Sequence, residues 1–210
     1  MTRFLLVRHT AHDFLVKGMM AGRQSGVHLN AAGKQQAEEL GERLSILPIE
    51  AIYCGPLERA RETAAPLARK IGLQVQVADE FDELDIGRWT NRAIGDLDEE
   101  ADWQRWNNFR SSTATPAGEF MLDVQARAVQ KISELKQHHR FVAIFTHGDP
   151  IRAIVAHFLG VHLDLFLRLM IDPGSLNLIE LGDDFVRLCM LNAPAAAATA
   201  INDRADTRGY

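Results

Sequence analysis

The chain contains few of the residues that mark several common classes of protein. Only two of its 210 residues are cysteine, too few for a disulfide framework or for a zinc site without other ligands. It has 23 Lys and Arg against 28 Asp and Glu, a net charge of −5 at pH 7. This acidic balance argues against general electrostatic attraction to nucleic acid or to an anionic membrane. An anionic ligand would therefore need a local cluster of cations.

Long apolar runs are missing as well. The N-terminal run at 4–7 breaks at Arg8, which is too short for the hydrophobic region of a signal peptide. No stretch approaches the roughly 18–20 apolar residues that span a bilayer. Hydrophobic residues at 47% and charged residues at 24% are typical of a globular domain with a sizeable core. We therefore expect a cytoplasmic protein without a membrane or nucleic-acid partner.

Short apolar runs alternate with amphipathic segments along the chain. Strands are predicted at residues 4–7, 51–54, 75–77, 141–145, 176–181 and 185–191. Helices are predicted at about residues 30–48, 56–71, 119–138 and 149–158. This alternation favours a three-layer α/β sandwich with a mostly parallel central sheet flanked by helices.

The domain organisation follows from the same pattern. One α/β domain is predicted over residues 1–192, and no internal repeat is visible. Residues 79–118 are the least regular part, contain all three tryptophans, and are interpreted as a cap-like excursion over a site. Residues 193–210 begin with an alanine run and end in polar residues, which predicts a loose C-terminal tail.

Polar, chemically active side chains follow the predicted strands. His9 ends the first strand after Arg8, His147 ends the strand at 141–145, and the helix after 51–54 carries Arg59 and Arg61. Ligands of open α/β sheets bind beyond the carboxyl ends of the strands. We therefore expect two imidazoles and one or two guanidiniums at one sheet edge. Such a set suits a phosphoryl group, because guanidinium binds phosphate oxygens and a neutral imidazole can attack phosphorus.

A series of segments in chain order resembles the histidine phosphatase superfamily, the phosphoglycerate-mutase-like group whose signature begins Arg-His-Gly. The segments are residues 6–9, 29–37, 53–64, 81–89, 116–119 and 146–152. The likeness spans about residues 3–190. It implies a phosphoglycerate-mutase-like fold and catalysis through a phosphohistidine, with no cofactor or metal expected.

The resemblance also implies a role for each matching residue. By similarity, His9 is the nucleophile that takes the phosphoryl group in line. Arg8, Arg59 and His147 form a cationic cradle that spreads the transition-state charge. Gly148, in the segment after the second histidine, is counted with the phosphate-binding residues.

An acidic residue before the Gly-x-Trp segment is implied to be the general acid, and Glu83 matches it. The same group would afterwards be the base that activates water. Its carboxyl must stay protonated near neutral pH, so burial is expected to raise its pKa. Asp82 and Asp85 are the competing candidates.

Two departures from the family pattern affect phosphate binding. Thr10 stands where the signature has glycine, and its hydroxyl is counted among the phosphate ligands. The family often has an Asn shortly after the signature, but here none precedes Asn30. Arg23 is the expected replacement for that phosphate contact.

The leading functional hypothesis is a phosphomonoesterase acting on small phosphorylated metabolites. The alternatives are phosphoglycerate-mutase-type phosphoryl transfer, a catalytically silent binding module of the same fold and, more distantly, a metal-dependent phosphohydrolase. The short excursion at 79–118 favours a phosphatase, because mutases of this group usually carry a longer insertion there. The sequence does not identify the natural substrate, and it leaves the oligomeric state open, with a homodimer compatible.

Overall fold

A six-stranded sheet forms the centre of the protein in a computed structural model that describes residues 1–203. Its strands are β1 (Thr2–Arg8), β2 (Ala51–Cys54), β3 (Val75–Val77), β4 (Phe141–Thr146), β5 (Leu176–Leu181) and β6 (Val186–Ala193). Across the sheet the order is β3-β2-β4-β1-β5-β6. The first four strands are mutually parallel, whereas β5 runs antiparallel to β1 and β6 antiparallel to β5.

Helices connect and cover these strands. They are α1 (Asp13–Val16), α2 (Ala31–Leu44), α3 (Glu58–Ile71), α4 (Ala101–Asn108), α5 (Met121–Leu135), α6 (Gly148–Leu159) and α7 (Ala198–Asp203). Short 3-10 helices lie at Asp79–Phe81, Gly87–Trp89, Ile94–Asp96, Leu163–Arg168 and Ala195–Ala197. Across residues 1–203, every helix is too short or too polar to cross a membrane.

The alternation of side chains along the strands builds two cores. On β4, Phe141 and Phe145 face one side of the sheet and pack with residues of α2 and α3. Val142 and Ile144 face the other side and pack with residues of α5 and α6. Successive residues of a strand point to opposite faces, so an uninterrupted apolar run is needed when both faces are covered. The predicted α/β class, with a mostly parallel sheet flanked by helices, is confirmed.

A third core holds the segment at 79–118 against the rest of the protein. Trp89 and Trp106 are only 2% and 1% exposed, and their rings contact each other and Trp103. We call these three residues the tryptophan cluster. It packs with buried side chains of α5 and α6, which fixes this segment beside these two helices.

The predicted loose tail is wrong for its first part. Residues 198–203 form α7, and Ala198 and Ile201 are buried in the core formed with α2 and α3. Alanine has the highest helix propensity, and an apolar face of this helix covers side chains of the sheet. The rest of the predicted tail, residues 204–210, lies outside the described residues.

The packing of α7 predicts a measurable contribution to stability. Replacement Ile201→Ala should lower the free energy of unfolding by about 2–4 kcal/mol, because it removes buried methyl groups and leaves a cavity. The control Ile46→Ala makes the same change at a side chain that is 54% exposed and should alter stability by less than about 0.5 kcal/mol. Urea unfolding followed by circular dichroism measures both. Equal, small effects would show that α7 does not pack on the core in solution.

Candidate active site

The register between β1 and β4 places the two strand-terminal histidines side by side. Arg8 and Thr146 are paired residues of these parallel strands, and the N–H of His9 donates to the Thr146 carbonyl at 2.9 Å. The residues that follow, His9 and His147, have ring centroids 5.1 Å apart. The structure therefore brings together the two imidazoles that the sequence analysis expected at one sheet edge.

The ring of His9 is held in one tautomer. Its Nδ1 lies 2.9 Å from the carbonyl oxygen of Thr10, and because a carbonyl can only accept, Nδ1 must carry the proton. Burial, followed by the charges of Arg59 and Arg8, holds the pKa of His9 well below its ordinary value. The ring is consequently neutral, and the lone pair is on Nε2.

Buried hydrogen-bond donors surround this imidazole. Arg59, in the first turn of α3 after β2, is 1% exposed; its Nη2 donates to Gly22 at 2.6 Å, but Nε and Nη1 have no acceptor among residues 1–203. Arg8 donates through Nη1 to Ile171 at 2.6 Å, and its Nε likewise has no acceptor there. Buried polar atoms normally have partners, so these donors fit a bound anion.

His147 and Gly148 form the start of α6 at the same place. Both ring nitrogens of His147 lack hydrogen-bond partners within the described chain. Burial lowers the pKa of His147 well below its ordinary value. A β-carbon at Gly148 would lie 3.3 Å from Arg8 Nε and 3.2 Å from Arg152 Nη1. Glycine therefore lets both guanidiniums approach the N-terminus of the helix. This end of a helix carries partial positive charge, so the helix and the guanidiniums together favour a bound anion.

Glu83 reaches the same edge from the loop after β3. Its Oε2 lies 3.8 Å from His147 Nδ1, and its Oε1 accepts from the N–H of Leu84 at 2.9 Å. Desolvation raises the pKa of Glu83 to about 7, and the charge of Asp149 acts in the same direction, against Arg59. The carboxyl can therefore be protonated near neutral pH, as the sequence analysis expected.

Hydrogen bonds and an ion pair from two arginines position the loop that carries Glu83. Arg127 Nη2 donates to the carbonyls of Asp82 and Glu83 at 2.8 and 3.1 Å. Arg23 Nε donates to the Glu83 carbonyl at 2.8 Å, and its Nη2 donates to Glu119 at 2.7 Å. The prediction that Arg23 binds phosphate is therefore not supported, since its acidic neighbours hold it outside the cavity lining.

The two competing carboxylates are engaged elsewhere. Asp82 accepts from the N–H of Glu83 at 2.7 Å and pairs with Arg23 at 3.1 Å. Asp85 accepts from the N–H of Gly87 at 2.9 Å. Neither lines the cavity at the sheet edge, whereas Glu83 does.

Thr10 is a structural residue and not a ligand in this arrangement. Its hydroxyl donates to the carbonyl of Gly33 at 2.8 Å, and its N–H donates to Thr63 Oγ1 at 3.1 Å. A β-carbon at Gly33 would lie 1.9 Å from the carbonyl oxygen of Ala11, so α2 approaches this loop very closely. The predicted phosphate contact by Thr10 is not supported, because its hydroxyl donates to the carbonyl of Gly33 and anchors the loop to α2.

The site opens into a cavity of about 300 Å³. Arg8, His9, Arg59 and Glu83 line it together with the start of α6. The large apolar side chains of its lining are those of Leu15, Met19, Met20, Leu84, Ile86, Ile94, Trp103, Trp106 and Leu167. Within the described part of the chain, no group of three or more His, Cys, Asp or Glu side chains is arranged to hold a metal ion.

Sequence analysis missed several polar residues of this cavity. His12 is 2% exposed, and its ring centroid lies 4.9 Å from that of His9. Asp149, Arg152 and the buried Arg110 also line the cavity. The position of His12, three residues after the nucleophile candidate, could have pointed to the site. Nothing near Arg110 in the sequence distinguished it from surface arginines.

Comparisons with known proteins bear on the family and the fold of this chain. The sequence pattern that defines the histidine phosphatase superfamily (branch 1) matches residues 4–194. Phosphoserine phosphatase 1 from Hydrogenobacter thermophilus is 29% identical over 185 residues, 86% of this chain and 87% of that protein. Adenosylcobalamin/alpha-ribazole phosphatase from Escherichia coli is 26% identical over 198 residues, 92% of this chain and 97% of that protein. The solved structure of a mycobacterial glucosyl-3-phosphoglycerate phosphatase with VO3 is 27% identical, with a TM-score of 0.84 over 92% of this chain and all of that one.

The protonation state of His9 can be measured directly. Imidazole ¹H–¹⁵N NMR at about pH 6, where an ordinary histidine is mostly protonated, should show His9 neutral with the proton on Nδ1. The exposed His28 is the internal control, because its hydrogen bond to Glu62 raises its pKa and keeps it charged. A doubly protonated His9 at that pH would contradict the assignment of the lone pair to Nε2.

Proposed function

Because the chain belongs to the histidine phosphatase superfamily (branch 1), we propose that it is a phosphomonoesterase that hydrolyses small phosphorylated metabolites through a phosphohistidine on His9. The observation that carries the proposal is the neutral imidazole of His9 beside buried donors of Arg8, Arg59 and His147 that lack acceptors within residues 1–203. The names of the relatives refer to different phosphoesters. They therefore support phosphoester hydrolysis as the reaction but do not identify one substrate.

The first step transfers the phosphoryl group to the enzyme. The lone pair of His9 Nε2 attacks phosphorus in line with the ester oxygen, and the P–O bond to the leaving group breaks as the P–N bond forms. Arg8 and Arg59 donate to the equatorial oxygens and stabilise their charge. Protonated Glu83 gives its proton to the leaving oxygen, which departs as an alcohol.

The second step returns the enzyme to its starting state. The Glu83 carboxylate accepts a proton from a water molecule, whose oxygen attacks phosphorus. The P–N bond breaks, and its electron pair returns to His9 Nε2. Inorganic phosphate is released, and Glu83 is again protonated, so one carboxyl acts first as acid and then as base.

His12 supplies a further donor in the loop where the family often has Asn. Its Nδ1 accepts from the N–H of Leu15 at 3.4 Å, so the proton of the neutral ring is on Nε2. Burial, with the charges of Arg59 and Arg8, lowers its pKa to about 4 and keeps it neutral near pH 7. We assign the His12 Nε2–H to a phosphoryl oxygen.

The cytoplasmic location expected from the sequence stays a prediction.

The proposed chemistry predicts hydrolysis of p-nitrophenyl phosphate with a trapped intermediate. Activity should survive EDTA and be blocked by vanadate, which mimics the trigonal-bipyramidal transition state. A radiolabelled phosphoester should leave an acid-labile, base-stable label on the enzyme, and His9→Ala should abolish it because the attacking nitrogen is lost. The control His157→Ala removes an exposed imidazole and should retain the label.

Each alternative gives a different result in the same assays. Loss of activity with EDTA would indicate a metal-dependent phosphohydrolase, and exchange between 2- and 3-phosphoglycerate with little hydrolysis would indicate a mutase. An intact fold with no turnover of any phosphoester would indicate a binding module. A label that persists in His9→Ala would contradict the role of His9.

The acid role of Glu83 predicts a dependence on the leaving group. Glu83→Gln should slow hydrolysis of an alkyl phosphate by about 10²–10⁴-fold, and p-nitrophenyl phosphate much less, since only the alkoxide needs a proton. For the wild type, kcat/KM with the alkyl ester should fall above pH 7 as Glu83, with a pKa of about 7, loses its proton. Steady-state kinetics across pH measure both effects.

A matched control makes this test specific. Glu99→Gln removes the same charge at an exposed position and should change neither the leaving-group dependence nor the pH profile. Equal loss for both esters in Glu83→Gln, or an unchanged fall above pH 7 in that variant, would show that another group is the acid.

A further inference from the structure

Arg8 depends on a main-chain carbonyl that takes no part in the phosphohistidine mechanism. Its Nη1 donates to the carbonyl oxygen of Ile171 at 2.6 Å. Ile171 is buried and belongs to the connection 169–175 between the 3-10 helix Leu163–Arg168 and β5. This bond occupies one donor of the guanidinium, whereas the buried Nε is left for an anion. The direction of the Ile171 carbonyl therefore sets the orientation in which Arg8 meets a phosphoryl group.

The peptide group that contains this carbonyl is bonded at its other end as well. The N–H of Asp172, which belongs to the same peptide group, donates to Asn192 Oδ1 at 2.6 Å. The peptide group is trans, so its plane is rigid and its C=O and N–H point in opposite directions. A bond to the N–H therefore prevents the plane from turning and keeps the carbonyl directed at Arg8.

Further bonds fix the position of Asn192 itself. Its Nδ2 donates to Asp172 Oδ2 at 2.9 Å, and its main-chain N–H donates to Asn177 Oδ1 at 2.7 Å. Asn177 is fully buried in β5, and its Nδ2 donates to the carbonyl of Leu6 at 3.2 Å. A buried amide is costly unless it is hydrogen-bonded. These bonds join β6 through β5 to β1, the strand that ends at Arg8.

The local backbone explains how the side chain of Asn192 reaches the connection 169–175. Leu191 and Asn192 of β6 together face the single residue Asn177 of β5, which is a β-bulge. The φ of Asn192 is 50°, in the left-handed region, where asparagine is enriched among residues other than glycine. Bulges redirect side chains and are frequent beside active sites. Here the bulge directs the amide toward Asp172.

We infer that Asn192 is a positioning residue for Arg8, because it fixes the peptide group between Ile171 and Asp172 whose carbonyl orients the guanidinium. Asn192 is not among the residues that line the active-site cavity, so it acts on a bound anion only through Arg8. The inference rests on the proposed function, in which Arg8 binds the phosphoryl group. It adds a residue outside the cavity on which that binding depends.

Binding of orthovanadate, measured by titration calorimetry, tests this without any turnover. Asn192→Gly removes the amide, permits the left-handed backbone and keeps the N–H that bonds Asn177. We expect its dissociation constant for orthovanadate to rise about 3- to 10-fold, the range of one net hydrogen bond. The control Asn91→Gly makes the same change at an exposed asparagine with a φ of 65° and should leave the dissociation constant unchanged.

A double-mutant cycle shows whether Asn192 acts through Arg8. Arg8→Met should weaken orthovanadate binding by itself, and adding Asn192→Gly should then change the dissociation constant by less than about 2-fold. Equal weakening in both backgrounds would overturn the inference, since Asn192 would act on the site by another route.

A second variant keeps the test independent of how well Asn192→Gly folds. Asn192→Asp tolerates the same backbone and keeps an acceptor for the Asp172 N–H, but it loses the donor to the Asp172 carboxylate. Its dissociation constant should lie between those of the wild type and Asn192→Gly. Wild-type affinity in either variant would overturn the inference, and so would a lower number of binding sites with an unchanged dissociation constant, which indicates lost stability alone.

The wild type separates this inference from the proposed function. If it binds orthovanadate but hydrolyses no phosphoester, the proposed function fails, and the variants still decide the role of Asn192. If it binds no orthovanadate, both fail. If it hydrolyses phosphoesters and the affinity of Asn192→Gly is unchanged, the inference alone fails.

Discussion

The parallel pairing of β1 with β4 in one register holds the chemical centre of this protein together. Arg8 pairs with Thr146, so the next residue of each strand, a histidine in both cases, emerges at the same height on neighbouring strands. A shift of one residue would turn every side chain of one strand to the opposite face and would expose its apolar run. The burial of both faces of the sheet therefore enforces the register, and the register sets the distance between the two imidazoles.

Burial has a second effect, which is to keep the site both cationic and reactive. Arg8 and Arg59 are withdrawn from water without enough acceptors, and their charge disfavours protonation of His9 and His147. The same withdrawal favours a protonated carboxyl at Glu83. One physical cause thus provides a neutral nucleophile, donors for an anion and an available proton in a single place.

The sequence allowed the parts of the site that lie close to strand ends to be predicted, because apolar runs and the residues after them are local signals. The positions of His9, His147 and an arginine of the following helix at one edge follow from that reasoning, whereas the choice of Arg59 and Glu83 depended on the resemblance to the family. Contacts between distant segments did not give such signals. Thr10 is held by the carbonyl of Gly33, the neighbours of Arg23 are acidic residues far along the chain, and the alanine-rich helix α7 docks on a core that only the complete fold creates. The bonds between Asn192 and Asp172 belong to the same class of long-range contact.

The third core, which contains the tryptophan cluster, has a consequence for how the substrate preference of such a protein can diverge. The sheet edge holds the groups that break and make bonds, while the segment at 79–118 packs on its own set of apolar side chains and supplies one wall of the cavity. Substitutions in that wall need not disturb the strand register. Descendants of one ancestral gene could therefore exchange one metabolite for another while inheriting the same reaction unaltered.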